Sequence, residues 1–183
     1  MFNFIFNLKF IEEDIIIYII DGDEFLSKVL KTKFETTTKY KIFPFSSGEE
    51  FLEQIIKKRI PKMSLPIIIL DYGLKTHKNY DAKDGIEILK IIKELYPDID
   101  VIMVSGFEDI DIATTSMHYG AASFIKKNEN SFLRIQNTIK YIISKKKLEK
   151  TKKQSQLTRK FFLILIITLI VLILFFFKEL FLK

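Results

Sequence analysis

The 183-residue chain has no cysteine, no tryptophan and only two histidines. Without thiols there is no disulfide and no cysteine-based zinc site, and the composition is compatible with a reducing compartment. His77 falls in a polar stretch and His118 late in a helical pattern, so both read as solvated or packing residues. No Ser-His-Asp or Cys-His set, HExxH run or Walker-type glycine loop is present. No secretory leader is expected either. Met1–Phe10 is apolar but broken by Asn3, Asn7 and Lys9, is followed at once by Glu12, Glu13 and Asp14, and offers no small-residue cleavage site. Residues 1–13 are therefore read as a short extension. Positive charge is scarce where a nucleic-acid surface would need it: the net charge is +6, yet residues 145–160 alone hold eight Lys/Arg against one Glu, and the first 144 residues carry −2. The basic character belongs to the tail, which argues against a globular nucleic-acid-binding surface.

What the first 144 residues do contain is a repeated alternation. Ile15–Ile20 is an unbroken apolar run that ends in Asp21-Gly22-Asp23-Glu24. Phe25, Leu26, Val29 and Leu30 then fall at helical spacing, which predicts a helix from Asp23 to about Phe34. A short strand over Lys39–Phe45 carries Pro44 near its end, and Ser47 with Glu50 three positions on reads as a capping box for a second helix. Ile67–Leu70, bounded by Pro66 and Gly73, reads as a strand buried on both faces, with Asp71 just beyond it. A polar loop follows over 72–83, long for a connection in a compact domain. Asp84-Gly85 opens a third helix that Pro97 stops. Asp100–Val104 is a strand ending in Ser105-Gly106, Glu108–Tyr119 a weaker helix closed by Gly120 as its C′ residue, and Ala121–Ile125 a strand running into Lys126-Lys127. The fifth helix is expected from Glu129 to about Lys147.

Five successive βα units imply a doubly wound α/β fold, with a parallel sheet, helices on both faces and ligands at the carboxyl ends of the strands. That edge collects Asp21 and Asp23 after the first strand, Asp71 after the third, Ser105 after the fourth and Lys127 after the fifth. Asp71 by itself is equally well read as a turn or helix cap. Taken together the set has a chemistry. Clustered carboxylates call for a hard cation such as Mg2+, which prefers few protein oxygens plus water and phosphate. A Lys and a Ser beside them can donate to phosphoryl oxygens, leaving one Asp to act as nucleophile and form an aspartyl phosphate.

Residues 14–144 resemble the receiver domain of bacterial two-component response regulators. The resemblance rests on IleIleAspGlyAsp at 19–23, IleLeuAspTyr at 69–72, AspGly at 84–85, ValIleMetValSerGly at 101–106 and GlyAlaAlaSerPheIleLysLys at 120–127. It implies a flavodoxin-like (βα)5 sheet with strand order 2-1-3-4-5, and a phosphoacceptor signalling protein as opposed to an enzyme. Asp71 would accept the phosphoryl group from a sensor histidine kinase or phosphotransfer protein. Mg2+ would be held by Asp21, Asp71 and the backbone carbonyl of Gly73, with Asp23 as a further candidate that points away from the cluster as the third residue of its run. Lys127, selected over Lys126 by spacing, would pair with the phosphoryl oxygens. Ser105 would swing in to bond one of them while Phe124 changes rotamer, and Gly106 would keep the path open. The switch would reshape the face of the fourth helix, fifth strand and fifth helix, which also makes that face a homodimer candidate. The chain departs from the family pattern in three ways. Gly22 stands where a second consecutive Asp is usual, Asn128 replaces the common Pro, and the loop after Asp71 is longer than usual.

Phe161–Phe177 is an apolar run with Thr168 its one polar residue. At about 1.5 Å per residue it is slightly short of a hydrocarbon core of roughly 30 Å, but Leu180, Phe181 and Leu182 extend it, with Lys178 and Lys183 able to snorkel. The chain is thus expected to comprise an extension (1–13), a receiver domain (14–144), a basic linker (145–160), a transmembrane helix (161–177) and a short tail (178–183). The basic linker places the preceding domain on the cytoplasmic side, giving a single-pass protein of the inner (cytoplasmic) membrane. A linker this short leaves no room before the membrane for a DNA-binding output domain. The expected function is a membrane-anchored single-domain response regulator whose output is protein contact. The rival is a degenerate receiver that docks partners without phosphorylation.

Overall fold

A computed structural model of the chain describes residues 15–61, 64–74, 82–107 and 110–181, with side chains to Leu174. The extension, most of the loop beyond Leu74 including His77, and residues 108–109 lie outside the described residues. The elements alternate strictly: β1 (Ile15–Ile20), α1 (Glu24–Thr37), β2 (Lys41–Phe45), α2 (Gly48–Lys57), β3 (Leu65–Asp71), α3 (Gly85–Leu95), β4 (Asp100–Ser105), α4 (Ile110–His118), β5 (Ser123–Lys126) and α5 (Ser131–Phe181). All neighbouring strands run parallel, in the order β2-β1-β3-β4-β5. This is the doubly wound 2-1-3-4-5 arrangement that the sequence implies. The inner strands β1, β3 and β4 carry near-continuous apolar runs because helices cover both of their faces. β2 lies at the edge, so Pro44, opposite Ile19, interrupts no ladder on its outer side.

Several helix ends differ from the sequence reading for identifiable reasons. α1 continues about a turn beyond Phe34. The Thr38 N–H and hydroxyl both donate to the Phe34 carbonyl, each at 2.8 Å, and satisfy one of the carbonyls that a helix end leaves unpaired. Ser47 does cap α2, its Oγ accepting from the Glu50 N–H at 3.1 Å. The return half of that box goes elsewhere, since Glu50 Oε2 accepts from the Ser46 N–H and Oγ. The full capping box is on α3: Asp84 accepts from the Glu87 N–H at 2.9 Å, and Glu87 accepts from the Asp84 N–H at 2.8 Å. α4 ends in a Schellman motif. Gly120 sits at φ +86°, its N–H bonds to the Met117 carbonyl, and the Ala121 N–H bonds to the Ser116 carbonyl.

One face of the sheet packs Ile16, Tyr18, Ile68, Leu70, Val101 and Met103 against Phe51 and Ile55 of α2 and Ile88, Leu89 and Ile92 of α3. Residues of opposite parity, such as Ile17, Ile67 and Ile102, are equally buried and turn to the other face. The chain divides into two compact units, Met1–Ile142 and Ile143–Lys183. The second is helical through Phe181, including the basic stretch read above as a linker, and its side chains from Phe161 to Leu174 are exposed. It is long and apolar enough to cross a membrane by length and composition.

Candidate functional site

Asp71 is the last residue of β3, and neighbouring backbone locks its position. The Tyr72 N–H donates to the Val104 carbonyl at 2.8 Å, and the Gly85 N–H to the Tyr72 carbonyl at 3.1 Å. Gly85 passes so close that a Cβ there would lie 2.5 Å from the Asp71 carbonyl oxygen and 2.6 Å from Tyr72 Cα. Only glycine lets α3 start against the end of β3 in this way. Asp21 follows β1, where its N–H donates to the Phe45 carbonyl at 3.1 Å and its Oδ1 accepts the Asp23 N–H at 2.9 Å. Lys127 follows β5 and is held by its own N–H on the Ser105 carbonyl at 2.7 Å.

Three strand ends thereby bring three charges together. Lys127 Nζ lies 2.9 Å from Asp21 Oδ2 and 2.9 Å from Asp71 Oδ1, with the two carboxylates almost fully buried and the lysine a quarter exposed. Burial, and secondarily the neighbouring Asp21 charge, push the Asp71 carboxyl above its ordinary range, although Lys127 and the Gly73 N–H pull it back. For Lys127, burial alone would lower the ammonium pKa, but Asp71 and Asp21 more than offset this and raise it.

The other residues singled out from sequence are placed as follows. Ser105 is fully buried at the end of β4, one residue beyond Val104, the register partner of Asp71, and its hydroxyl accepts from the Phe107 N–H at 3.0 Å. Phe124 lies on β5 opposite Met103, partly buried against the core. A Cβ on Gly106 would meet nothing within 4 Å. Asp23 is occupied elsewhere, capping α1 by accepting from the Phe25 and Leu26 N–H groups at 3.0 and 3.1 Å. Lys126 is opposite Ser105 in the ladder, and His118 is exposed beside the Tyr119 ring. Sequence reasoning did not find the close approach of Gly85 to Asp71. The Asp-Gly pair marked a helix start, but nothing local says which backbone that start touches.

Among the described residues no group of three or more His, Cys, Asp or Glu side chains is placed to hold a metal ion. The set nevertheless suits Mg2+, which commonly takes one or two carboxylates and fills its remaining positions with water and phosphate. Oxygens of Asp21 and Asp71 already converge on a single cationic nitrogen.

An open parallel α/β sheet whose carboxyl edge carries two buried aspartates and a lysine is the architecture of a signalling receiver. Residues 17–140 match the response regulator receiver domain, and the chain belongs to that family. The nitrogen assimilation regulatory protein NtrX of Azorhizobium caulinodans is 37% identical over 65 residues, which is 36% of this chain and 13% of that protein. Among solved structures, a CheY-like receiver domain protein from Methanospirillum hungatei superposes with a TM-score of 0.62 at 23% identity, covering 73% of this chain and 97% of the other. The response regulator TrrA of Thermotoga maritima, in complex with Mg2+-BeF, gives 0.55 at 19% identity, covering 69% and 96%.

Proposed function

We propose that the chain is a membrane-anchored single-domain response regulator that accepts a phosphoryl group on Asp71 from a histidine kinase or phosphotransfer protein and signals through protein contacts. The observation that carries this reading is the convergence of Asp21, Asp71 and Lys127 at 2.9 Å contacts on the carboxyl edge of the sheet. Asp71 supplies a carboxylate oxygen as nucleophile, and backbone on both sides holds it in place. Lys127 is positioned to transfer one of its hydrogen bonds from carboxylate to phosphoryl oxygen as charge accumulates there. Ser105 would exchange its bond to the Phe107 N–H for one to the phosphoryl group, freeing the loop after β4 and the space that Phe124 borders. Asp21, Asp71 and the Gly73 carbonyl would hold Mg2+, which supplies neutralisation of the incoming charge. The exposed apolar run from Phe161 to Leu174, preceded by eight basic residues, supports a single span with the receiver on the cytoplasmic side.

A second reading is favoured by a specific feature. Gly22 removes one family carboxylate, and Lys127 pairs with both that remain, so the domain is a closed ion-pair network fit to act as a phosphorylation-independent docking module. Incubation of the full chain with Mg2+ and acetyl phosphate separates the two. A mass gain of one phosphoryl group that Asp71→Asn abolishes supports the acceptor. No gain at millimolar donor leaves the docking module.

A further inference from the structure

At the β2 edge of the sheet, beside α2, lies a cavity of about 290 Å³ that shares no residue with the charged site. Tyr18 from β1, Phe43 and Phe45 from β2, and Ile55 from α2 form its apolar walls. Register pairs Tyr18 with Phe43, and their rings stack with centroids 5.9 Å apart and planes 30° from parallel. β2 has no outer neighbour to cover this row, and Phe43 remains 45% exposed. The charge around the cavity has one sign. Lys58 and Arg59, just past α2, line it, and the remaining lining side chains are uncharged. Lys57 is paired with Glu53 at 3.2 Å, but neither Lys58 nor Arg59 has an acidic partner among the described residues. The Tyr18 hydroxyl is an independent signal. Tyr18 is only 8% exposed, yet its hydroxyl makes no hydrogen bond among the described residues. Burial, and secondarily the nearby Tyr96, raise its pKa, so the phenol keeps its proton to donate. Buried polar groups are nearly always paired, and an apolar cavity with a few convergent polar groups is the usual form of a small-molecule site.

We propose that this cavity binds a small aromatic anion, a flat ring that carries a carboxylate or phosphate group. The ring packs on Phe43 and Phe45 at the separation of about 4.5–7 Å that aromatic pairs favour. The anionic group takes Lys58 and Arg59, whose planar guanidinium suits either oxyanion, and the Tyr18 hydroxyl donates to a ligand oxygen. Charge and apolar surface together select this class. A lipid chain would bring nothing to two unpaired cations and a buried hydroxyl, and an inorganic anion would leave the rings in water. Because none of Asp21, Asp71 and Lys127 lines the cavity, this second site does not depend on the reading of Asp71 as phosphoacceptor.

The test is calorimetric titration of the full chain in lipid nanodiscs, with protein-free nanodiscs as the blank. Phenyl phosphate and benzoate are the anionic rings and distinguish the two oxyanions; benzyl alcohol supplies the ring without charge, and inorganic phosphate the charge without a ring. At least one anionic ring is expected to bind saturably, about tenfold or more tighter than either partial probe. Lys58→Gln combined with Arg59→Gln, both at exposed positions, should weaken that binding about tenfold. Tyr18→Phe should weaken it about fivefold without lowering the thermal midpoint, since the hydroxyl it removes has no partner in the fold. Asp71→Asn should leave it unchanged. Inorganic phosphate binding as tightly as the anionic rings, or binding that survives the double variant, puts the anion on the basic tail and overturns the proposal. Affinity that changes in Asp71→Asn puts it at the charged strand ends and does the same. Benzyl alcohol binding as tightly as the anions leaves only an apolar cleft, and no saturable binding up to about 10 mM leaves no site; either result also overturns it. None of these results bears on phosphoryl labelling of Asp71, which stands or falls by its own assay.

Discussion

At the scale of single residues, Asp71 carries the charge that burial opposes. Burial raises its pKa above the ordinary carboxylate range, so the folded state binds a proton there more readily than the unfolded chain does. The stabilising contribution is present below the unfolded pKa and is lost as pH rises through the raised folded value. Asp71→Asn, neutral at every pH, is therefore expected to raise the thermal midpoint near neutrality, with the gain vanishing in acid; thermal scans against pH check this. Lys127→Met has the opposite sign. It leaves two buried carboxylates without their shared cation and should cost about 3 kcal/mol near neutrality, less in acid, by denaturant titration. Gly85→Ala must displace the backbone of Asp71 and Tyr72, whose atoms lie 2.5 and 2.6 Å from the new Cβ. A loss of about 1–3 kcal/mol is expected, together with slower phosphoryl uptake. Gly106→Ala, whose Cβ meets nothing within 4 Å, should keep its stability within about 0.5 kcal/mol.

At the scale of elements, the helix starts are unequal in consequence. α3 is closed by a reciprocal Asp84–Glu87 box, and its first residue touches the backbone of Asp71. α2 has only the Ser47 half of its box. Asp84→Ala should cost about 1 kcal/mol and also disturb the site, whereas Ser47→Ala should cost a similar amount without changing phosphoryl uptake. Paired measurements of unfolding midpoint and labelling rate on both variants distinguish a structural cap from one that also positions Asp71.

At the scale of the whole molecule, two units of different physical character share one chain. Met1–Ile142 has a sheet with both faces buried, and Ile143–Lys183 combines a basic stretch with an exposed apolar helix. An apolar surface of this size facing water is costly, and insertion into lipid, as the proposed anchor requires, would remove the cost. The full chain is expected to remain with membranes through carbonate extraction; recovery in the soluble fraction would remove the anchor from the proposed function.

Much of this was legible without coordinates because it is written in local periodicity. Ile15–Ile20, Ile67–Leu70 and Val101–Val104 are continuous apolar runs of strand length, as strands covered on both faces require, and their alternation with helical spacing determined the order of the elements. Gly120 announced the end of α4, since few other residues adopt its positive φ. The same local logic misjudged the end of α1, which Thr38 caps about a turn later, and assigned Glu50 to the Ser47 N–H when its partner is Ser46, one residue earlier. Contacts between residues distant in sequence were decided by tertiary structure alone. Lys127 meets Asp21 across 106 positions, Gly85 presses on the backbone of Asp71, and Tyr18 comes to share a cavity with Lys58 and Arg59. No sequence window carries that information. It follows from how the strands stack side by side and how far the helices that cover them can approach.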